Sequence, residues 1–461
     1  MSQVAGIPSS VYAPSENYVL IGGYDIYDRE YHQKLLKRVP KHGALTWMRA
    51  VKGYMTKRKT RRNTYYFYEE GQWMSAAATI ASVTDQTTYV DIVLSSADHE
   101  DSGARSFPVV GQTVVFEDES VGYVTVVNRT TPSAHFVSVK PANSSTSILN
   151  AAVVGTTMVF YSNAQKEKST ETEGRIPKVS KVTNYVQTFR EKYEVTDYAE
   201  QNEVEFTYKG QKFLYVKGID DTMDRFMMQE DLGLLITPAS ENLTDAGGNT
   251  IQFAKGLIPQ ITDNGLTMEY FGDPSKSTFD DARLILNKNF GDHEYVVGMS
   301  LNVMTGLENW LIDFAGGGDN NISFNAFDGG KKQAISLDFQ SIYLAPYSFH
   351  FQVWDLFTHA DTLGAGNMPY KDMMVFIPTG YAKNPEPEEG FGDTEPYLQV
   401  VYSRIPGAPH ENKGDYKMWE TGANARTGAT DDELTRAIHM ASWKGLEVRC
   451  RNKFLIARKA A

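Results

Sequence analysis

Cysteine is nearly absent from this chain, with Cys450 the single one among 461 residues. One cysteine excludes an intramolecular disulfide framework and any zinc site built from several thiolates. Long apolar runs are also missing: the longest, such as residues 373–378, fall far short of the roughly 20 residues that a membrane-spanning helix needs. The first twelve residues lack a charged segment followed by an apolar one. We therefore expect neither export nor a membrane partner, and synthesis in the cytoplasm.

The motifs of common catalytic sites are missing as well. The chain contains no His-Glu-x-x-His, no Gly-x-Ser-x-Gly and no phosphate loop ending in Gly-Lys-Ser or Gly-Lys-Thr. His350 and His359 lie near Asp355, but no nucleophile can be assigned to such a pair, and structural histidines are commoner than catalytic ones. The sequence predicts that the protein is not an enzyme, with no catalytic residue, cofactor or metal ligand.

Acidic residues are absent from one long segment of an otherwise acidic chain. The net charge is -12, yet residues 31–68 contain eleven Lys or Arg and no Asp or Glu. The run at residues 57–62 can contact phosphates or an acidic surface of a neighbouring copy, and a solvated basic face is the common alternative. The acidic remainder disfavours high-affinity nucleic-acid binding by the whole chain, because such affinity depends on clustered cations.

The first third of the chain changes from an irregular to a β-rich pattern. Residues 2–17 are rich in Ser, Pro and Gly and predict an extended arm, and residues 28–39 predict a short basic helix that ends before Pro40. Residues 71–163 carry short β runs between turn residues, which predict a small β-barrel or sandwich used for packing or display. The predicted strands are 89–94, 113–116, 123–127, 136–139 and 158–161.

The middle of the chain contains its clearest helix. A polar stretch at residues 165–180 predicts an extended, contact-making loop, and residues 184–196 alternate as in a strand. From residue 213 to 227, apolar side chains recur every three or four positions, which predicts one buried helical face. We expect Gly233 and Pro238 to end this helix.

The second half mixes helices and strands, which indicates an α+β or α/β domain. The predicted helices are 278–290, 302–314 and 352–359, and the predicted strands are 295–300, 335–344 and 373–377. We expect a final strand pair, residues 446–450 with 454–457.

Five segments together resemble the major capsid proteins of tailed bacteriophages. They are residues 182–190, 194–197, 227–232, 371–380 and 445–456. The first contains Asn184, Gln187 and Phe189, similar to the Asn-x-x-Gln-x-Phe segment that precedes the long spine helix in that family. The crAss-like viruses of gut bacteria are one source consistent with this resemblance.

The resemblance implies an α+β chain with the Hong Kong 97-type capsid fold. Its expected parts are an N-terminal arm at residues 1–45, an extended-loop region at 46–205 with an inserted β domain at about 71–163, a peripheral domain at 206–282 with the spine helix at about 211–232, an axial domain at 283–425, and strands at 426–461 that return to the peripheral domain. It implies self-assembly into pentamers and hexamers of an icosahedral head that encloses double-stranded DNA without sequence-specific binding. A separate scaffold protein, a portal protein and capsid accessory proteins are the implied partners, and the virion is the implied location.

Eight polar residues are the predicted contacts between subunits. Four come from the basic run and four from the polar loop: Lys57, Arg58, Arg61, Arg62, Lys166, Glu167, Lys168 and Arg175. Two other classes of protein stay open. A tail-fibre or adhesin module would use the β block to bind a receptor, although repeats are absent. A polysaccharide hydrolase would need paired carboxylates in a cleft and an export signal.

Overall fold

The computed structural model describes residues 55–60, 62–70, 76–86, 88–95, 108–129, 135–143, 148, 150–167, 179–196, 203–208, 211–316, 341–359, 362–383, 394–403, 416–423, 425, 428–430 and 434–460. The chain divides into two compact units, Met1–Phe67 with Thr183–Ala461, and Tyr68–Val182. The arm at residues 2–17 and the helix at 28–39 lie outside the described residues. Strands and helices are numbered below in chain order.

A closed barrel forms the second unit. Two strands that are not part of the barrel precede it, β1 (Met55–Thr60) and β2 (Thr64–Glu70). The barrel strands are β3 (Ala76–Asp85), β4 (Val90–Leu94), β5 (Gln112–Val115), β6 (Val121–Asn128), β7 (Phe136–Pro141) and β8 (Thr157–Asn163). Their order around the barrel is β3-β4-β7-β6-β5-β8. Inward side chains such as Ile92, Val124 and Val137 are fully buried. Of the two predicted alternatives, barrel and sandwich, the structure contains the barrel.

The predicted barrel strands lie close to the observed ones, with one difference. The first strand, β3, was missed because its Ala-rich and Thr-rich sequence has little apolar alternation. In β6, a register shift between Val124 and Val126 leaves Val126 half exposed while Val127 packs on the core. A bulge inserts one residue and thereby reverses which later side chains face inward.

The larger unit contains the remaining elements. They are β9 (Val179–Tyr185), β10 (Gln187–Thr196), β11 (Glu203–Tyr208), β12 (Gln211–Phe213), α1 (Leu214–Ile236), β13 (Ser240–Thr244), β14 (Thr250–Phe253), α2 (Leu257–Asn264), β15 (Leu266–Tyr270), α3 (Lys276–Lys288), β16 (Glu294–Met299), α4 (Leu301–Gly316), β17 (Ser341–Leu344), β18 (Tyr347–Val353), α5 (Asp355–Thr358), β19 (Met373–Pro378), β20 (Tyr381–Lys383), β21 (Thr394–Pro396), β22 (Leu398–Ser403), β23 (Tyr416–Gly422), β24 (Thr435–Val448) and β25 (Leu455–Lys459). Short pairs join β2 to β9, β11 to β12, β13 to β14, and β20 to β21.

A five-stranded sheet has the long strand β24 at its centre. Its order is β1-β22-β24-β10, and β23 pairs with β24 as well. β1 runs parallel to β22, whereas β10, β22 and β23 are antiparallel to β24. The basic run at residues 57–62 therefore begins inside a strand of this sheet.

A six-stranded mixed sheet is buried on both faces at its central strand β19. Its order is β15-β25-β19-β16-β18-β17. In β19, Met373 and Val375 belong to a core shared with α1, α2 and the five-stranded sheet, whereas Met374 and Phe376 pack with α3 and α4. Successive strand residues point to opposite faces, so a strand covered on both sides has an uninterrupted apolar sequence. This explains the run at residues 373–378.

The helix α1 confirms the strongest helix prediction and corrects its limits. The predicted face includes Phe226, which is 1% exposed and packs in the core. Gly233 was expected to end the helix but lies inside it, and Phe213 belongs to β12. A Cβ at Gly233 would lie 2.6 Å from Cε1 of Phe189 on β10. The glycine therefore permits close approach of the helix to the sheet.

Replacing Gly233 with alanine should destabilise the larger unit. Alanine favours a helix by up to about 1 kcal/mol, but overpacking of a filled core costs about 1–3 kcal/mol. The buried ring of Phe189 cannot easily move, so we expect a net loss of about 1–2 kcal/mol in urea denaturation. Gln229→Ala on the exposed side of the same helix is the matched control and should change stability by less than about 0.5 kcal/mol. A Gly233→Ala protein as stable as this control would contradict the packing argument.

Three other predictions need correction or fall partly outside the described residues. The helix expected at residues 352–359 is wrong at its start, because Gln352 and Val353 end β18 and only the short α5 follows. The expected final strand pair is also wrong. β24 belongs to the five-stranded sheet, whereas β25 lies between β15 and β19 in the other sheet. Of the strand predicted at 335–344, the structure describes β17 alone.

The strand pairing crosses two of the expected domain limits. β15 and β25 lie on either side of the 283–425 segment in sequence, yet both join the six-stranded sheet. Cys450, with φ of 52°, and the 3-10 turn at Arg451–Lys453 connect the end of β24 to β25. The carboxyl-terminal strands are thus shared between the two sheets of the larger unit.

Candidate functional site

The side chain of Asn184 connects three segments of the larger unit. Asn184 is 1% exposed. Its Nδ2 donates to the carbonyl oxygens of Leu446 at 2.8 Å and Lys255 at 3.1 Å. Its Oδ1 accepts from the backbone N–H groups of Lys255 and Tyr185, each at 2.8 Å. Both donor hydrogens and both acceptor positions of the amide are used, so this side chain fixes β9 against β24 and the segment before α2.

The other residues of the Asn-x-x-Gln-x-Phe segment continue this junction. Gln187 Oε1 accepts from the backbone N–H of Ala254 at 3.3 Å, and Phe189 packs against Gly233 of α1. Gln260 of α2 donates through Nε2 to the same two carbonyls as Asn184, Lys255 at 2.8 Å and Leu446 at 2.9 Å. The three motif residues thus connect β9 and β10 to α1, to β24 and to the segment before α2.

A buried ion pair joins α1 to β24. Lys444 Nζ lies 2.5 Å from Glu230 Oε2, and the two residues are 2% and 4% exposed. The hydroxyl of Ser442 donates to the other carboxylate oxygen of Glu230. The buried carboxylate of Glu230 is tolerated because the ammonium group of Lys444 compensates its charge. The helical pattern did not indicate this residue, because Glu230 interrupts the apolar stripe.

Arg58 takes part in an ion-pair cluster within its own chain. Its Nη1 lies 2.9 Å from Oε2 of the fully buried Glu447, and Arg449 Nε lies 2.5 Å from Glu447 Oε1. Arg449 also pairs with Glu395. Burial and, to a smaller extent, the charge of Arg58 lower the pKa of Arg449 to about 10. These contacts attach the edge strand β1 to β24.

The other predicted interface residues are distributed over both units. Lys57 lies in β1 opposite Val400, and Arg62 is exposed just after β1. Lys166 and Glu167 are exposed beyond β8, in the barrel unit. Arg61, Lys168 and Arg175 lie outside the described residues. Contact with another subunit stays a prediction for all eight.

Several ionisable side chains of the larger unit pair with one another. His350 Nε2 lies 3.0 Å from Glu294 Oε1, and both side chains are exposed. Lys453 Nζ donates to Asp292 Oδ1 at 2.7 Å and to the hydroxyl of Tyr397 at 2.6 Å, and burial raises the pKa of Tyr397 to about 12. Across the described ranges, His, Cys, Asp and Glu form no group of three that could hold a metal ion. The same ranges contain no helix with the length and apolarity to cross a membrane.

Solved structures with similar backbones come from phages and capsid-like shells. One is the capsid of the native GTA particle, with a TM-score of 0.42, 7% identity, and coverage of 97% of this chain and 99% of that chain. A chain from Mycobacterium phage Adephagia has a TM-score of 0.40, 10% identity, and coverage of 98% and 99%. The SrpI encapsulin of Synechococcus elongatus has a TM-score of 0.34, 9% identity, and coverage of 62% and 77%. No family model and no curated protein matches the chain. Similarities this low do not place the chain in a family.

Proposed function

We propose that this chain is the major capsid protein of a tailed phage, with the Hong Kong 97-type fold that its sequence resemblance implies. The observation that supports this most is the junction at Asn184, Gln187 and Phe189. Among these residues of the resembling motif, Asn184 holds β9 against β24 and Phe189 packs β10 against the helix α1. In the proposed fold α1 is the spine helix, β2 and β9 belong to the extended loop, and the barrel is a domain inserted in that loop.

The proposed domains follow the chain in order. The N-terminal arm is 1–45, the extended-loop region 46–205, the peripheral domain 206–282, the axial domain 283–425, and the returning strands 426–461. In this proposal β15 and β25 extend the axial domain, because both pair into the six-stranded sheet that contains β16 to β19. A crAss-like phage stays a proposal for the source.

The function is structural and not enzymatic in this proposal. Copies of the chain form pentamers and hexamers of an icosahedral head in the virion, which encloses double-stranded DNA, with separate scaffold, portal and accessory proteins as partners. A closed shell needs contacts between different surfaces of identical subunits. Buried polar ties such as Lys444–Glu230 and Asn184–Leu446 keep each subunit rigid, so that assembly orders few additional groups.

Size measurement of the purified full-length chain tests the proposal. We expect pentamers, hexamers or larger shells by light scattering and electron microscopy, with and without co-expressed scaffold. A trimer would instead favour a fibre, and a monomer that hydrolyses polysaccharide would favour the hydrolase.

Charge variants test the predicted contacts. Lys57→Glu with Arg62→Glu should block assembly. Arg62→Glu alone should leave the melting temperature of the monomer nearly unchanged, since Arg62 is exposed. Lys288→Glu on the exposed side of α3 is the control for a change of charge. Arg58→Ala is a separate case, because it removes a partner of the buried Glu447 and should destabilise the monomer itself. Normal shells from the Lys57 and Arg62 variant would contradict the interface prediction.

A further inference from the structure

One face of the five-stranded sheet points away from α1. Phe189, Glu191 and Tyr193 of β10 face the helix, where they meet Gly233, Arg225 and Gly218. Successive strand residues point to opposite faces. Arg190 and Lys192 therefore lie on the opposite face of the sheet, and both are exposed.

The strand register places cations and aromatic rings side by side on this face. Lys192 is opposite His439, and His439 is opposite Trp419. One row along, Arg190 is opposite Ala441, and Ala441 is opposite Lys417. We call Arg190, Lys192, Lys417, Trp419 and His439 the cationic sheet face. Because β10 and β23 flank β24, its outer cations start from strands about 10 Å apart.

The local charge of this surface is positive, in contrast to the chain as a whole. Among the described residues of β10, β23 and β24 on this face, Glu194 is the one carboxylate, and it pairs with Lys192. Lys417 Nζ lies 5.2 Å from the centroid of the Trp419 ring, which stacks on the His439 ring with centroids 5.2 Å apart. Because the side chains of Ala437 and Ala441 on β24 are small, the surface between the outer strands β10 and β23 is a shallow groove.

We propose that the cationic sheet face contacts the phosphates of nucleic acid. Cations on two outer strands can contact successive backbone phosphates, while the Trp419 and His439 rings offer flat surfaces to sugars or bases. This inference rests on the proposed function in one respect. If the chain forms a phage head, the nucleic acid in contact with it is the packaged double-stranded DNA. If the three cations each neutralise one phosphate, the slope of log K against log salt is about -2.7. Binding with so few phosphate contacts is weak. Such a contact lets DNA move against an acidic shell.

His439 adds a pH dependence to this contact. Burial, followed by the charges of Lys192 and Arg190, lowers the pKa of His439 below its usual value near 6.5, and Glu194 opposes this. Thr421 Oγ1 lies 2.7 Å from its Nε2, and Lys417 and Trp419 are its other charged or ring neighbours on β23. The imidazole is therefore neutral at pH 7. A bound phosphate favours its charged form, so binding should tighten as pH falls below the usual histidine range.

The test measures binding of a labelled mixed-sequence DNA duplex to the unassembled full-length chain by fluorescence anisotropy. We expect a log K against log salt slope of about -2 to -3. Arg190→Ala with Lys417→Ala should reduce that slope by about 2 and weaken binding at least about tenfold at low salt. Lys276→Ala with Lys288→Ala removes two exposed cations from α3 and should change neither. His439→Gln should abolish the tightening at low pH, and a single-stranded oligonucleotide measures the part that is due to stacking.

The outcomes separate this inference from the proposed function. Shell assembly without any DNA binding, or equal binding by the two double variants, would overturn the inference and leave the capsid proposal intact. DNA binding that depends on the cationic sheet face in a chain that never assembles would overturn the capsid proposal alone. A third outcome combines two results: the parent chain does not bind DNA, and the Arg190 and Lys417 variant no longer assembles. It would show that this face binds an acidic surface of a second copy, and it would overturn the inference. Equal melting temperatures exclude misfolding as the cause.

Discussion

Lys444→Met is expected to lower the free energy of unfolding by about 3–5 kcal/mol, because the carboxylate of Glu230 then stays buried without its cation. Glu230 and Lys444 are almost fully buried between α1 and β24, and the ammonium group lies 2.5 Å from the carboxylate. Methionine preserves most of the volume of the lysine side chain, so the loss reports on charge rather than on a cavity. Urea denaturation of the unassembled chain measures this change as a lower midpoint.

A double variant separates the charge effect from packing. Lys444→Met combined with Glu230→Gln removes both charges of this pair and keeps an acceptor for the Ser442 hydroxyl. It should recover at least half of the lost stability, because an uncompensated charge costs more than a missing ion pair. Lys288→Met at an exposed site of α3 should cost less than about 0.5 kcal/mol. A single variant at Lys444 that costs under about 1 kcal/mol would show that Glu230 gains water or a proton instead.

The second large effect is expected at Asn184. Asn184→Ala leaves the buried N–H groups of Lys255 and Tyr185 without their side-chain acceptor. Each unsatisfied buried group costs about 1–3 kcal/mol, so we expect a total loss of about 2–4 kcal/mol, again by urea denaturation. The carbonyls of Lys255 and Leu446 still accept from Gln260. This shared pairing keeps the expected loss below the sum of all four hydrogen bonds.

Gln260 provides the internal check of this argument. Gln260→Ala alone should cost less than Asn184→Ala, because Asn184 still donates to both carbonyls. The double variant should cost more than the two single variants added together, because only then do both carbonyls lose every side-chain donor. Strict additivity would count against a shared junction. Asn287→Ala on the exposed side of α3 is the control for removal of an amide and should have little effect.

Local periodicity was enough to predict several single elements. Five of the six barrel strands, the apolar run of β19 and the face of α1 around Phe226 follow from spacing, because burial of one face imposes a period of two or of 3.6. Gly233 shows where this reasoning fails. A glycine near the end of an apolar stripe has the same local signal whether it ends the helix or admits a neighbouring ring, and only the position of Phe189 distinguishes the two.

The residues of the candidate site depended on long-range contacts that no local pattern contains. Asn184 was singled out as part of a motif, but its partners Lys255 and Leu446 are 71 and 262 positions away in the chain. Lys444 and Glu230 are separated by 214 positions, and Arg58 and Glu447 by 389. The predicted interface role of Arg58 came from charge alone, since the sequence has no signal for the parallel pairing of β1 with β22 that brings it to Glu447.

The sequence by itself determined the order of a basic segment, a β-rich block, one long helix and an α+β second half, together with the lack of disulfides and catalytic motifs. Composition and short-range spacing carry that information, because they act through neighbours along the chain. Only the tertiary structure decided that β24 pairs with three strands, that β25 joins a different sheet, and that Arg190, Lys192 and Lys417 share one face. The physical reason is that strand register and buried charge pairing are set by packing between distant segments, whose free energy no single segment contains.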